Sequence, residues 1–235
     1  MLINLKNLVE SLLPDKANYI FGFADLTGLL NEKYRGFDHA VVIGKKLDSD
    51  IIDRIADGPT LDYYEHYNAV NNNLLDTAEK IAEGLRAAGA ASTTVRPTFL
   101  DSEIDDDYYK TLTTDFSHKM AATRAGLGWI GKTDLLISEK FGPGVRFAAV
   151  LTDFPLENIY PPVNKSKCGK CSICVDRCPA DAANGELWDI DVFRDEFYDP
   201  FKCRDKAREL TRKNFGKEVS LCGICISVCP VGKKQ

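Results

Sequence analysis

The order of apolar and polar residues predicts three helices in the first part of the chain. Between residues 61 and 88 the apolar positions recur at intervals of three and four, which indicates one long helix with Gly89 as its C-cap. An amphipathic stretch at the N-terminus predicts a shorter helix that ends at Pro14. Residues 116–125 are the third candidate, and Ser117 is placed to cap their N-terminus.

Short apolar runs predict strands between and after these helices. Residues 19–26 and 40–43 are apolar or aromatic and have polar flanks, and residues 92–95 are a shorter candidate. Two further runs, 133–138 and 145–152, flank a Phe-Gly-Pro-Gly segment and predict a hairpin. The first part of the chain is therefore expected to combine helices with strands.

The cysteines occupy only the last third of the chain, beyond a proline-containing linker. The first four have the spacing C-x2-C-x2-C-x3-C, and the last three repeat the second half of that spacing. The eight residues are Cys168, Cys171, Cys174, Cys178, Cys203, Cys222, Cys225 and Cys229. The first run has the spacing of bacterial ferredoxins, in which three thiolates hold one [4Fe–4S] cluster and the fourth belongs to another.

Three kinds of site compete for these cysteines. Four cysteines in one short run followed by a proline are not a usual zinc spacing. A disulfide framework is typical of small secreted proteins, whereas this chain has enough residues for a sizeable core. Two [4Fe–4S] clusters use every cysteine and also account for the prolines, Pro179 and Pro230, that follow the two runs. We therefore predict two iron–sulfur clusters.

The ferredoxin crossover also predicts which thiolates share a cluster. A complete second motif would have its first cysteine at position 219, which is Val219, so Cys203 is expected to supply the missing ligand. The predicted ligands of cluster 1 are Cys168, Cys171, Cys174 and Cys229. The predicted ligands of cluster 2 are Cys178, Cys203, Cys222 and Cys225.

A glycine-rich segment, GLGWIGKT at residues 126–133, formally satisfies two phosphate-binding patterns. Both patterns require a strand before the glycines and a helix after them, because the helix N-terminus binds the phosphate. Here the predicted helix precedes the glycines and the predicted strand follows them, and Trp129 is bulky for a phosphate loop. A tight turn that lets a planar cofactor or the cysteine segment approach the backbone explains the glycines better.

Composition and charge narrow the class of protein further. The chain has 235 residues and a net charge of −5, so it lacks the overall basic character of nucleic-acid-binding domains. No run of about 18 apolar residues occurs, and charged residues interrupt the N-terminal stretch where a signal peptide would be apolar. We therefore expect no membrane span and a reducing, cytoplasmic location, in which cysteines bind metal.

The basic residues concentrate around the later cysteines. Residues 199–235 contain nine Lys and Arg against four Asp and Glu. Because a four-thiolate cluster is anionic, the simplest use of this charge is local compensation. The alternative is a docking surface for an anionic partner.

Four segments together resemble the epoxyqueuosine reductase family and the related reductive dehalogenases. They are AGLGWIGKTDLLIS, VLTDFPL, CGKCSICVDRCPA and CGICISVCP, between residues 117 and 230. The resemblance implies an α+β fold, with a nitroreductase-like, cobalamin-binding domain at 1–160 and a small ferredoxin-like, two-[4Fe–4S] domain at 161–235. It also implies that the clusters pass electrons to a corrinoid, whose pocket the glycine segment partly lines. The residues concerned are Gly126, Gly128, Trp129, Gly131 and Lys132.

The chain also departs from the family pattern. Longer members continue past the second cysteine run into helical repeats that help hold tRNA, whereas this sequence ends six residues after Cys229. The family's proposed proton donor is an Asp in a V-D-T segment, and residues 95–107, VRPTFLDSEIDDD, offer no clear match. Neither tRNA nor epoxyqueuosine is therefore expected as the substrate.

Two histidines are candidate proton donors, because imidazole titrates near neutral pH. His118 lies eight residues before Gly126, and the alternative is a capping or surface histidine. His66 lies among Tyr63, Tyr64 and Tyr67, where a packed aromatic cluster is the alternative. Lys132 is a candidate contact for an anionic group of the cofactor, or else a solvent-exposed lysine.

The predicted function is therefore reduction. Electrons from a low-potential donor would pass through both clusters to a corrinoid, and the substrate would be a small molecule or the corrinoid of another protein. One alternative is a non-catalytic electron carrier or reductive activator that docks a partner protein. Another keeps the nitroreductase-like fold and replaces the corrinoid by flavin mononucleotide.

Overall fold

The computed structural model describes residues 4–99, 103–156 and 160–233. Their contacts divide the chain into two units that alternate along the sequence. The sheet unit consists of Met1–Lys46, Val70–Leu127 and Arg146–Val163, and the cysteine unit of Leu47–Ala69, Gly128–Val145 and Asn164–Gln235. The division into two domains at about residue 160 stays a prediction. Two segments before that residue, Leu47–Ala69 and Gly128–Val145, belong to the cysteine unit by their contacts.

The described chain contains both helices and strands. The helices are α1 (Leu5–Leu12), α2 (Ser49–Asp53), α3 (Leu61–Ala87), α4 (Asp106–Thr111), α5 (His118–Arg124), α6 (Ile173–Asp176), α7 (Arg194–Phe197), α8 (Pro200–Phe215) and α9 (Ile224–Ser227). The strands are β1 (Tyr19–Asp25), β2 (His39–Lys46), β3 (Ser92–Val95), β4 (Trp129–Ile130), β5 (Leu136–Ile137) and β6 (Val145–Thr152). A mixed α and β fold is confirmed.

A four-stranded sheet forms the centre of the sheet unit, with strand order β1-β2-β6-β3. β1 pairs antiparallel with β2, so that Tyr19 lies opposite Lys45. β3 pairs antiparallel with β6, where Val95 lies opposite Ala149. The central strands β2 and β6 are apolar and buried along most of their length, as expected for strands that have neighbours on both sides.

Two helices of the sheet unit follow the predicted apolar pattern. Asn4 caps α1, because its side-chain oxygen accepts a hydrogen bond from the backbone N–H of Asn7. The predicted apolar positions of α3 are fully buried: Leu74, Ala78, Ile81, Ala82 and Leu85. Gly84 of α3 lets Leu8 of α1 approach closely, since a Cβ there would lie 3.0 Å from two Leu8 carbons. Both helix predictions are confirmed.

Helix α5 packs against β1 in the same unit. Ser117 caps it as predicted, and its Oγ accepts a hydrogen bond from the N–H of Met120 at 3.2 Å. A Cβ on Gly22 of β1 would lie only 2.7 Å from the carbonyl oxygen of Ala125, so only glycine permits this approach. The sheet therefore fixes where the glycine segment begins, immediately after α5.

The predicted hairpin of residues 133–138 and 145–152 is wrong. β5 pairs with β4 in a separate two-stranded sheet, and β6 lies in the four-stranded sheet. The turn between them closes on itself, because Ser138 and Gly142 exchange backbone hydrogen bonds of 2.9 and 2.8 Å. The apolar runs were recognisable, but their partners come from distant parts of the chain.

The segment 47–69 joins the cysteine unit by packing on α9. Gly223 has a φ of 88°, and a Cβ there would lie 2.4 Å from Ile55 Cδ1 and 2.9 Å from Tyr63 Cε1. Asn214 of α8 also donates a hydrogen bond to the carbonyl oxygen of Pro59 at 2.8 Å. Within the described residues, no helix is both long and apolar enough to cross a membrane.

Candidate metal centre

Two short helices carry the repeated cysteine spacing. The C-x2-C-x3-C part of each run surrounds one of them: α6 carries Cys174, α9 carries Cys225, and Cys178 and Cys229 follow directly. The two helices contact each other. Cys203 lies on α8, which Asp199 caps by accepting hydrogen bonds from two backbone N–H groups. All eight cysteines are described, and none of them forms a disulfide.

The thiols lie in two groups of four. In the first group, the pKa of Cys229 is raised by the charges of three nearby thiols: Cys174, Cys168 and Cys171. In the second group, Cys203 lies near Cys178, and both Cys222 and Cys225 lie near Cys203. Cys225 also lies near Cys174, where the two groups meet. The groups contain the same residues as the predicted ligand sets, whose binding of clusters stays a prediction.

The donor set fits a cluster better than a single ion. Within the residues that the structure describes, no three His, Cys, Asp or Glu side chains come together closely enough to hold one metal ion. Four thiolates around a [4Fe–4S] cluster bind four different iron atoms, so they lie farther apart than the ligands of one zinc ion. Thiolates are also the ligands that iron–sulfur clusters require.

Burial keeps several of these thiols protonated in the absence of metal. It raises the pKa of Cys222 and that of Cys229 to about 11, and it raises the pKa of Cys225 as well. A neutral thiol binds metal poorly, so cluster insertion must displace these protons. The site is therefore an apolar environment in which the thiolates become stable only together with iron.

The second half of the glycine segment packs against the cysteines. The indole N–H of Trp129 donates to the sulfur of Cys168 at 3.4 Å. A Cβ on Gly131 would lie 3.6 Å from the same sulfur. The Thr133 hydroxyl lies near the sulfurs of Cys174 and Cys225 and lowers the pKa of both thiols. Of the residues predicted to line a corrinoid pocket, the structure thus brings Trp129 and Gly131 to the thiols.

The remaining residues of that set have other surroundings. A Cβ on Gly128 would lie 2.2 Å from the carbonyl oxygen of Ile137, so this glycine permits the pairing of β4 with β5. Gly126 lies in the sheet unit, where its φ of 69° and the closeness of Tyr160 explain the residue. Lys132 is 7% exposed, so the alternative of a solvent-exposed lysine is wrong. Their role in binding a corrinoid stays a prediction.

Two residues near the thiols are not predicted by the sequence to contact the clusters. Thr133 is only the last residue of a phosphate-binding pattern. Tyr198 lies just before α8, and its hydroxyl lies near the sulfur of Cys203, whose pKa it lowers. Burial raises the pKa of Tyr198 well above its ordinary value, so the hydroxyl keeps its proton and can donate a hydrogen bond to the sulfur. No local signal marks a tyrosine for this contact.

His118 lies in the sheet unit, at the start of α5. Its Nε2 is 3.3 Å from the carbonyl oxygen of Val95, and its ring meets the edge of Phe116 with centroids 5.2 Å apart. Burial lowers the pKa of the imidazole to about 4, against the smaller opposite effect of the Val95 carbonyl. The ring is therefore neutral at pH 7 and carries its proton on the nitrogen that faces Val95. A role in catalysis stays a prediction.

The pKa of His118 is directly testable. We expect its ring protons to titrate with a midpoint of about 4, measured by NMR and assigned with the His118→Gln variant. Because the folded pKa is lower than the unfolded value of about 6.5, the folded state binds fewer protons between these values. Stability should therefore fall by about 3 kcal/mol as the pH drops through this window, and H118Q should remove this part of the loss. A midpoint near 6.5 would contradict the structure.

His66 has a structural contact in the cysteine unit. Its Nε2 accepts a hydrogen bond of 2.9 Å from the backbone N–H of Asp48, the residue that caps α2. The neighbouring Tyr64 ring stacks on Phe215 of α8. The histidine thus joins the start of α2 to the start of α3. Its predicted role as a proton donor is not tested by this contact and stays a prediction.

The sheet unit contains a cavity of about 370 Å³. Tyr34, Thr94, Arg96 and Phe116 are among its lining residues. The Oγ1 of Thr94 is buried and has no hydrogen-bond partner among the described residues. This volume suits a small organic molecule and is smaller than a complete corrinoid with its nucleotide.

Comparison with known proteins supports the reading of the cysteine unit. Residues 167–232 match a family model described as a 4Fe-4S double cluster binding domain. An epoxyqueuosine reductase of Synechococcus sp. (strain CC9605) is 39% identical over 118 residues, which are 50% of this chain and 36% of that protein. The resemblance to the epoxyqueuosine reductases is confirmed. The matched segment spans about a third of that relative's length, so the activity of the whole relative does not transfer directly.

Solved structures show the same fold over almost the whole chain. A reductive dehalogenase structure described as suggesting a mechanism for B12-dependent dehalogenation matches with a TM-score of 0.69 and 18% identity, over 98% of this chain and 32% of that one. An epoxyqueuosine reductase crystallised with an epoxyqueuosine-modified tRNA-Tyr stem loop matches with a TM-score of 0.59 and 17% identity, over 97% of this chain and 64% of that one. The nitroreductase-like label for the sheet unit stays a prediction.

Proposed function

We propose that this chain is an iron–sulfur oxidoreductase that passes electrons through two [4Fe–4S] clusters to an acceptor bound by the sheet unit. The observation that carries the proposal is the arrangement of eight thiols in two groups of four, which meet at Cys174 and Cys225. Two adjacent clusters form a path for single electrons from a low-potential donor. In an oxidoreductase such a path ends at a second site, where the electrons are consumed.

The chain's own residues supply what the clusters need. Cys168, Cys171, Cys174 and Cys229 would hold one cluster, and Cys178, Cys203, Cys222 and Cys225 the other. Each cluster, when bound, accepts and releases one electron at a time. Trp129, Thr133 and Tyr198 direct N–H or O–H groups toward the sulfurs. The basic residues of α8 offset part of the negative charge.

For the acceptor we propose cobalamin. The motifs shared with epoxyqueuosine reductases and the fold shared with a reductive dehalogenase support this choice. A bound corrinoid would supply a cobalt centre that accepts electrons from the clusters. The cavity of about 370 Å³ in the sheet unit is too small for the corrinoid itself and suits a small-molecule substrate. The proposal assigns no tRNA substrate, and it places the protein in the cytoplasm.

The candidate proton donor in the same unit is His118, and its protonation state argues against this role. His118 is neutral at pH 7 and holds its proton toward Val95, so the imidazolium form is not available as an acid. We therefore expect the substrate to receive its proton from another group or from water. The His118→Gln variant should then keep its activity at pH 7, measured with reduced protein and the substrate once that is known.

Cofactor titration under anaerobic conditions tests the proposal. We expect about eight iron atoms and about eight labile sulfides per chain, and tight binding of cobalamin with a change to the base-off spectrum. Flavin mononucleotide is the comparison ligand. Binding of flavin instead of cobalamin would favour a flavin reductase, and binding of neither would favour an electron carrier. A chain without iron would contradict the proposal altogether.

A further inference from the structure

We propose that Trp129 and Thr133 are positioning residues that donate hydrogen bonds to cluster thiolates and raise the reduction potentials of both clusters. This inference rests on the proposed function, because it requires the clusters to be present. It also gives the glycine segment a role that neither phosphate pattern describes.

The contact of Trp129 is specific. Its side chain is 5% exposed, and the indole N–H lies 3.4 Å from the sulfur of Cys168. An indole nitrogen is a donor only, and a buried donor needs an acceptor. The ammonium group of Lys167 lies 5.5 Å from the centre of the ring, on which it makes a cation–π contact. The indole ring is thus fixed by the cation–π contact with Lys167, while its N–H points at the sulfur of Cys168.

Thr133 lies where the two groups of thiols meet. Its side chain is 6% exposed, and its hydroxyl lies near the sulfurs of Cys174 in the first group and Cys225 in the second, where it lowers the pKa of both thiols. A hydroxyl has one hydrogen, so it can donate to only one sulfur at a time. The same group therefore serves both sets of ligands.

The glycines explain how one short segment reaches three sulfurs. Gly128 leaves no room for a side chain beside Ile137, and this closeness lets β4 pair with β5. The N–H of Gly131 then donates to the carbonyl oxygen of Leu135 at 2.8 Å, which closes the turn. Trp129 lies in β4 just before this turn, and Thr133 lies in the turn itself. A larger residue at Gly131 would occupy the space next to Cys168.

Hydrogen bonds to a thiolate favour the reduced state of its cluster. Reduction adds negative charge, and a donor stabilises that charge more strongly than it stabilises the oxidised state. Removing one donor should therefore lower the potential. The buried Lys132, which lies between the two donors in sequence and makes no ion pair among the described residues, adds positive charge to the same turn.

The test uses anaerobically purified holoprotein and replaces each donor with a residue that cannot donate a hydrogen bond. Trp129→Phe removes the N–H and keeps an aromatic ring, and Thr133→Val removes the hydroxyl. We expect each change to reduce the equilibrium constant for reduction of a contacted cluster on the order of tenfold. Redox titration followed by visible absorption and electron paramagnetic resonance measures it. W129F should affect one cluster, and T133V should affect both.

Two matched variants make the result specific. Thr133→Ser keeps the hydroxyl and should restore the wild-type potentials. Trp188→Phe changes the only other tryptophan and should leave them unchanged. Unchanged potentials in both W129F and T133V, with iron complete, would overturn the inference.

Spectroscopy provides an independent measurement in which both donors stay in place. With ¹⁵N-labelled tryptophan, the reduced cluster should show a nitrogen hyperfine coupling that persists in W188F. After exchange into deuterated water, a deuteron coupling from the Thr133 hydroxyl should appear. Absence of both couplings would overturn the inference. A wild-type chain without about eight iron atoms would instead contradict the proposed function.

Discussion

Replacing Cys203 by serine should lower the iron content from about eight to about four atoms per chain. Cys203 lies on α8 with Cys178 and Cys222 as close electrostatic neighbours, so it completes the second group of thiols. With three thiols left, that group cannot hold a stable four-iron cluster. Anaerobic iron and sulfide analysis, with the electron paramagnetic resonance spectrum of the reduced protein, measures the loss.

The neighbouring residue provides a matched control for this change. Arg204 follows Cys203 on the same helix and pairs with Asp205. Arg204→Ala should leave the iron content at about eight. If Cys203→Ser also kept all its iron, the predicted ligand sets would be wrong. If both variants lost iron, the effect would come from α8 as a helix and not from the thiol.

Replacing Gly223 by alanine should destabilise the protein by about 3 kcal/mol. Gly223 has a φ of 88°, which disfavours any side chain, and the new methyl would lie 2.4 Å from Ile55 and 2.9 Å from Tyr63. Both neighbours are buried and cannot move without shifting the segment 47–69. For a chain of this size the midpoint of thermal unfolding should fall by roughly 6–12 °C.

A second glycine separates the two causes. Gly216 has a φ of 73°, and a Cβ there would meet nothing within 4 Å. Gly216→Ala should therefore cost only the backbone term, about 1 kcal/mol, or roughly 2–4 °C. Equal effects of G216A and G223A would mean that the close contact with Ile55 and Tyr63 contributes nothing.

The parts of the fold that depend on neighbouring residues in sequence were predictable. The apolar spacing located α3, and Ser117 marked the start of α5, because these signals lie within one or two turns of a helix. The cysteine spacing located the candidate metal centre for the same reason. The order of elements around GLGWIGKT also argued correctly against a strand-loop-helix phosphate site, since α5 precedes the segment and β5 follows it.

The parts that depend on distant residues were not predictable. β6 resembles half of a hairpin locally, yet it lies between β2 and β3 because its long apolar run is stable only with neighbours on both sides. The contact of Tyr198 with Cys203 depends on how α8 packs, and no periodicity encodes it. For Lys132 the sequence left open a cofactor contact and a solvent-exposed lysine, and only the packing within the cysteine unit shows that the residue is buried.

The interleaving of the two thiol groups has a consequence for biosynthesis. The first group begins at Cys168 and is completed by Cys229, whereas the second is completed by Cys225. A nascent chain is synthesised from its N-terminus, so neither group of four exists until Cys225 has been synthesised. A prematurely terminated chain that ends before Cys225 therefore completes neither group.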